Sequence, residues 1–599
     1  MNPQTVERET GGDRQCRREL PFPALAALAV ATLLLFVKVL LTVRCNFTSF
    51  LMDEQIYVTT FWRSYEVGGF ELNARCVPTL IGYYWLWKIW ALAFGNSLFA
   101  MRLLSSALSV VGVTAGFFIS RQTGLTRSAA LVWCLAVLGT SDLFMAQYFI
   151  SDVPVFAATL VFWALVLRAP RSRHPAILVW SAFAVIAWAS LVRQTAPFSA
   201  IGGGTWLMLA RSKLRRRTRA LCALAMIACV LGSAAAKYRV THENHNEQYA
   251  GRAQLAPFES SGFSLLNLGS ASPGKLLLAS QELVVSAFTV ASVPLVLCGL
   301  AFTFGRHRRF ALPALGLAAM SWAGLTFLLT ALSHYRHAGP LAAAMEPAVV
   351  TLTGWDYGGP SAYVDHLTPA CLVLLVLGIS FLLLKCLGLG EVVASVVESA
   401  RKDPGSRSLL VLALLSSLPG LAAAAASLVF GLVNSPRYLT SALPAILVCG
   451  PVIWPHLASR LGARVTAWSI AASLAIFGIC LDMQFRDSLD LSQASWSARG
   501  QCQKQSQGLP RVVVTPEWFA GHRATSELAS RCPKYAPSIW FQGNDYLLNL
   551  SRLDPRSRGH DAPTHPLIVK LHVMIPPKRV AYAAAASDIP RSTTSTGTR

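Results

Sequence analysis

The sequence predicts an all-α polytopic membrane protein with about 13 transmembrane helices. It adds interfacial helices in the first outer loop and a small mixed C-terminal extramembrane segment. Three observations predict this class. Of 599 residues, 54% are hydrophobic and only 14% charged, with mean hydropathy +0.47. A soluble domain carries about 25% charged residues, so a soluble enzyme and a disordered chain are both excluded. The 16 Trp and 29 Phe supply the aromatic belts of a membrane protein. The third observation is a series of apolar runs long enough to span, roughly 20 residues each.

In chain order, residues 1–21 form a polar N-terminal segment read as cytoplasmic. The run 22–43 follows as a retained signal anchor, too long for a signal-peptide core. Further runs cover roughly 98–119, 128–149, 153–168, 176–192, 196–210, 220–236, 276–304, 311–333, 369–388, 408–433, 438–457 and 465–482. The membrane domain is thus 22–482. Residues 483–582 form a small outer domain, where 511–515 and 566–573 read as strands. An Ala/Ser/Thr-rich tail, 583–599, reads as disordered.

Thr79–Gly95 decides the topology. It follows Pro78, is rich in Trp and Tyr, and carries Lys88 at its middle. Such composition suits a helix lying in the membrane surface. With that segment flat and the N-terminus inside, 23 Arg and Lys fall on the cytoplasmic side and about ten on the outer loops before the C-terminal segment. Making it a span reverses that bias, against the positive-inside rule. The formal net charge of +23 is therefore topogenic, and nucleic acid is not an expected partner. The 13 Cys show no metal-ligand spacing. Cys45 with Cys76, and Cys502 with Cys532, are outer-side pairs that an oxidising compartment permits to bridge, with free thiols an equal alternative.

The sharpest polar feature is Met52-Asp53-Glu54-Gln55-Ile56-Tyr57, just outside the first run. Asp53 suits a helix cap and Glu54 its first turn. The same pair suits a general base beside a second carboxylate. The topology puts three further groups on that face. Asp152 lies in the turn before Pro154, Arg193 in Arg193-Gln194-Thr195, and Arg437 before Tyr438 and Leu439. The plain readings are caps for the acid and snorkelling for the arginines. Arg binds phosphate through a bidentate fork, so this set suits a lipid phosphate beside a hydroxyl being deprotonated. Asp142 lies inside a run, where an ionisable group is a functional candidate by default.

These residues resemble the GT-C superfamily of integral-membrane glycosyltransferases. The acidic pair Asp53-Glu54 after the first span, the flat aromatic helix, Asp152 and the late Arg437-Tyr438-Leu439 with Leu443-Pro444 resemble the protein O-mannosyltransferase and lipid A aminoarabinose transferase type. Arg193-Gln194-Thr195 with Met52-Asp53-Glu54 is also similar to dolichyl-phosphate-glucose glucosyltransferase. Many relatives of the aminoarabinose type have Lys-Gly where Arg193-Gln194 stands here. The resemblance implies a polyprenyl-phosphate-sugar donor, an acceptor hydroxyl on a lipid, glycan or protein, and inversion at the anomeric carbon. By position, Asp53 is the base, Glu54 its partner and Asp152 an orienting group. Arg193 and Arg437 hold the phosphate, with Tyr57, Gln194 and Tyr438 as further substrate contacts. An Arg-neutralised phosphate leaving group demands no metal, although Mg or Mn suits the Asp53/Glu54 carboxylates. The alternatives are a secondary transporter or lipid flippase, which wants inverted repeats and midplane charges, and a non-catalytic lipid-binding relative. A bacterial inner membrane is expected over the endoplasmic reticulum, with the site on the periplasmic or lumenal side.

Overall fold

A computed structural model of the chain describes residues 54–66, 68–70, 80–145, 149–209, 216–242, 280, 283, 287, 290–304, 369–430, 439–462 and 465–471. The described residues are helical and contain no strand. The expected runs at 22–43 and 311–333, most of 465–482, both C-terminal strands and all four paired cysteines lie outside them.

The helices are α1 (Glu54–Glu66), α2 (Ile81–Phe94), α3 (Leu98–Thr123), α4 (Arg127–Met145), α5 (Asp152–Arg168), α6 (Pro175–Ser190) and α7 (Ala196–Leu209). Then come α8 (Arg216–His242), α9 (Ser292–Phe304), α10 (Pro369–Lys402), α11 (Pro404–Phe430), α12 (Leu443–Val448) and α13 (Gly450–Arg460). Among the described residues, four helices are long and apolar enough to cross a membrane: Leu98–Thr123, Asp152–Arg171, Arg217–Ala236 and Pro404–Ala425. The bent α12–α13 pair makes up to five. Shorter apolar helices among the described residues are Arg127–Gly139, Pro175–Ser190 and Val293–Phe302.

Short connections make α3 to α7 alternate in direction. One end of this bundle gathers the starts of α3, α5 and α7 and the turns 149–151 and 191–195. The opposite end gathers Arg121, Arg127, Arg168, Arg171 and Arg173. Helix α2 lies along the first end rather than crossing the bundle. The amide of Gly82, near its start, donates to the Leu191 carbonyl at 2.7 Å beyond the end of α6. Its other end stops at Gly95, whose φ of 79° lies in the region that favours glycine. Ser97 then caps α3 by accepting from the Ala100 amide at 3.2 Å. Both ends of α2 are thus tied to the same end of the bundle. Fourteen residues are also about 21 Å of helix, short of a bilayer core of roughly 30 Å.

Two differences from the sequence reading have local causes. The run 438–457 forms two helices bent by 67° at Cys449. Gly450 and Pro451 follow immediately, and a proline ring cannot continue the amide ladder. The indole of Trp133 donates to the Leu447 carbonyl at 3.2 Å, serving the backbone just before the bend. The run 369–388 continues as helix to Lys402. No proline interrupts it until Pro404, and Lys402 pairs with Glu398 one turn back at 2.5 Å. Asp403 then caps α11, accepting from the amides of Gly405 at 3.0 Å and Ser406 at 2.8 Å.

Among the described residues, helices α9 and α10 pack closely against each other. A Cβ on Gly388 would collide with the Leu295 carbonyl, and the small residue is what lets the two backbones approach. At the basic end, Glu391 of α10 pairs with Arg460 of α13 at 3.5 Å and lies 2.7 Å from His456 Nε2.

Candidate functional site

The site is built on the turn that starts α5. Ser151 occupies the capping position of that helix, where serine normally accepts from a backbone amide. Its side chain makes no such bond. The Ser151 hydroxyl instead donates to the Tyr57 hydroxyl at 3.1 Å. It also accepts from Arg193 Nε at 3.2 Å. The next residue, Asp152, takes the same arginine: Oδ1 lies 2.6 Å from Arg193 Nη1. One guanidinium therefore grips two consecutive residues of the turn, and Ser151 links it to α1.

Burial makes these contacts consequential. Ser151 is fully buried, and the Asp152 and Arg193 side chains are 2% and 17% exposed. A charge removed from water costs several kcal/mol unless it is paired, and here carboxylate and guanidinium are paired. The second carboxylate oxygen, Asp152 Oδ2, is buried with no hydrogen-bond partner among the described residues. The amide nitrogen of Gln194, beside Arg193, is in the same condition. A buried acceptor and a buried donor without partners are the groups a bound polar ligand would satisfy.

Helix α1 and α2 wall the site with aromatic rings. Phe61 packs edge-on against Tyr83, Tyr84 and Phe149, with centroids 5.5, 5.6 and 5.4 Å away. Tyr83 stacks on Phe149 at 4.6 Å, two residues before Ser151. The Tyr84 hydroxyl donates to the Ser64 carbonyl at 3.1 Å, and burial pushes its phenol pKa up, so it stays a donor. The indole of Trp188 donates to the Gly82 carbonyl at 3.0 Å. A Cβ on Gly82 would stand 2.8 Å from the Leu191 carbonyl, so only glycine lets α2 approach the turn that carries Arg193. The other face of α2 exposes Trp85, Ile89, Leu92 and Phe94, as suits lipid contact. Lys88 lies over the Trp85 ring at 5.1 Å, which gives the mid-helix charge a partner.

Of the sequence-predicted residues, Tyr57, Asp152 and Arg193 come together, with Gln194 beside them. Glu54 begins α1, one turn before Tyr57, and its side chain is outside the described set, as is that of Asp142 in α4. Asp53, Arg437 and Tyr438 lie outside the described residues. Ser151 is not singled out by the sequence, where the neighbouring Asp152 takes the reading of a cap. Arg102 was also missed. It is fully buried in the first turns of α3, three residues before Ser105, whose hydroxyl shares a 3.2 Å hydrogen bond with Tyr83. Among the described residues no group of three His, Cys, Asp or Glu is placed to hold a metal ion.

No family model and no curated protein matches the chain. Among solved structures the chain is similar to a crystal structure of ArnT from Cupriavidus metallidurans bound to undecaprenyl phosphate. The two are 13% identical over 82% of each chain, with a TM-score of 0.35.

Proposed function

We propose that the chain is an integral-membrane glycosyltransferase of the GT-C type. It transfers a sugar from a polyprenyl-phosphate donor to an acceptor hydroxyl, with inversion, on the outer membrane face. The observation that carries the reading is the buried Asp152–Arg193 pair under a lipid-facing aromatic helix. A guanidinium there can neutralise a lipid phosphate as it leaves. The unpartnered Asp152 oxygen and Gln194 amide suit hydroxyls of sugar or acceptor. The chain residues named in the resemblance fill the remaining roles. Asp53 takes the acceptor proton with Glu54 beside it, Arg193 and Arg437 hold the phosphate, and Tyr57 and Tyr438 line the substrate. Atoms balance without a co-reactant: the acceptor oxygen bonds the anomeric carbon, the phosphate oxygen leaves with the bonding pair, and the acceptor proton passes to the carboxylate.

The test is an assay of the purified chain in proteoliposomes with radiolabelled polyprenyl-phosphate sugars. Appearance of labelled acceptor together with free polyprenyl phosphate is the expected result. A transporter or flippase would move the intact lipid between leaflets without releasing the phosphate. A non-catalytic relative would bind it and do neither. Either outcome contradicts the proposal.

A further inference from the structure

We infer that Ser151 is the positioning residue that sets the direction of the phosphate-holding arginine, an inference that rests on the lipid-phosphate reading of the site. Its place in the hydrogen-bond chain argues for this. A hydroxyl has one proton to donate. Ser151 gives that proton to the Tyr57 oxygen and receives Arg193 Nε on its own oxygen, so the chain runs from Arg193 through Ser151 to Tyr57.

Arg193 meets Asp152 through Nη1 and Ser151 through Nε, so these two consecutive residues engage its planar group at two points and bias the direction in which it faces. A buried serine at the helix start with no capping bond has exchanged an ordinary stabilising role for this one. Tyr57 completes the arrangement. It anchors Ser151 to α1, the helix that begins with Glu54. Ser151 is thus the joint between the turn that carries the arginine and the helix that begins with Glu54.

The experiment measures binding of undecaprenyl phosphate and of undecaprenol, the same chain without the charge, to the purified full-length protein in nanodiscs. The unsubstituted protein is expected to prefer the phosphate. Ser151→Ala is expected to weaken phosphate binding by roughly ten- to a hundredfold, the usual worth of one hydrogen bond to a charged group, with undecaprenol binding unchanged. Tyr57→Phe, which removes the anchoring oxygen and leaves the Arg193 contact, is expected to lose only part of that preference. Ser151→Cys keeps the volume with a weaker donor and acceptor, and is expected to fall between. If Ser151→Ala does not fold, the Cys and Phe variants carry the same comparison of the two lipids. Equal loss for both lipids, or no loss, means a purely structural serine and overturns the inference. If the unsubstituted protein fails to prefer phosphate, the lipid-phosphate reading itself fails, a result distinct from the loss of Ser151's role.

Discussion

At the basic end of the bundle Arg121, Arg171 and Arg407 serve the main chain, while Arg460 pairs with the Glu391 carboxylate. Arg121 donates to the Leu125 carbonyl at 2.7 Å and Arg171 to the Gln122 carbonyl at 2.5 Å. Arg407 donates to the carbonyls of Ala400 at 2.6 Å and Arg401 at 3.2 Å, closing the end of α10. Each satisfies carbonyls that a helix end or turn leaves open. At the other end Arg193 donates to side chains, a carboxylate and a hydroxyl, both buried. Partner type and burial, rather than residue type, separate a residue that closes a helix from one that can face a ligand.

Substitutions at the two ends sharpen this contrast. The largest effect is expected at Asp53. Asp53→Asn keeps the shape and removes the base, so transfer should fall by roughly 10²–10⁴ with polyprenyl-phosphate binding nearly unchanged. A capping role predicts the opposite, because Asn caps as well as Asp, and single-turnover transfer decides between them. Next is Arg193→Ala. It leaves the Asp152 carboxylate buried without its cation, at a cost of about 3–5 kcal/mol, and it weakens donor binding. Asp152→Asn in the same background should recover part of the stability and none of the binding, as thermal unfolding and lipid titration would show.

Gly82→Ala comes third. Its methyl meets the Leu191 carbonyl, so the turn carrying Arg193 must move. About 1–3 kcal/mol of stability and a larger share of transfer should be lost together, whereas Gly390→Ala, where a Cβ meets nothing inside a helix, should leave transfer unchanged and raise stability by about 0.5–1 kcal/mol. The smallest effect belongs to Asp403. Its carboxyl pKa is held low by the Gly405 and Ser406 amides, with help from the Ser406 hydroxyl. A depressed pKa stabilises above the ordinary carboxylate range and is lost as pH falls through the folded value. Asp403→Ala should therefore lower stability by about 1 kcal/mol at neutral pH. The two proteins should converge in acid, and transfer should be untouched.

Much of the helical order was legible because apolar runs and short connections constrain it. The runs 128–149, 153–168, 176–192 and 196–210 coincide closely with α4 to α7. Alternation of short connections put Asp152 and Arg193 at one end. The position of α2 was legible from its Trp and Tyr content and from the charge asymmetry. Details set by tertiary packing were not. Ser151 carries the residue type of a cap, and only the approach of Tyr57 and Arg193 reveals its other partners. Arg102 and Lys385 sit inside apolar stretches, and their complete burial depends on neighbouring helices that the local pattern does not specify. The bend at Cys449 has proline as its signal, yet Pro419 and Pro455 lie within helices, so proline alone does not locate a break.

The contrast between the two ends is tested most directly by paired conservative substitutions, Arg193→Lys and Arg171→Lys, assayed for sugar transfer from a polyprenyl-phosphate donor at matched folded protein. Lysine keeps the charge and loses the planar fork. Arg193→Lys should reduce transfer by about tenfold or more, since one ammonium cannot hold the carboxylate, the serine and a phosphate in the same geometry. Arg171→Lys should transfer at the unsubstituted rate. Equal rates for all three proteins, or equal losses in both variants, would contradict the assignment of Arg193 to the lipid phosphate.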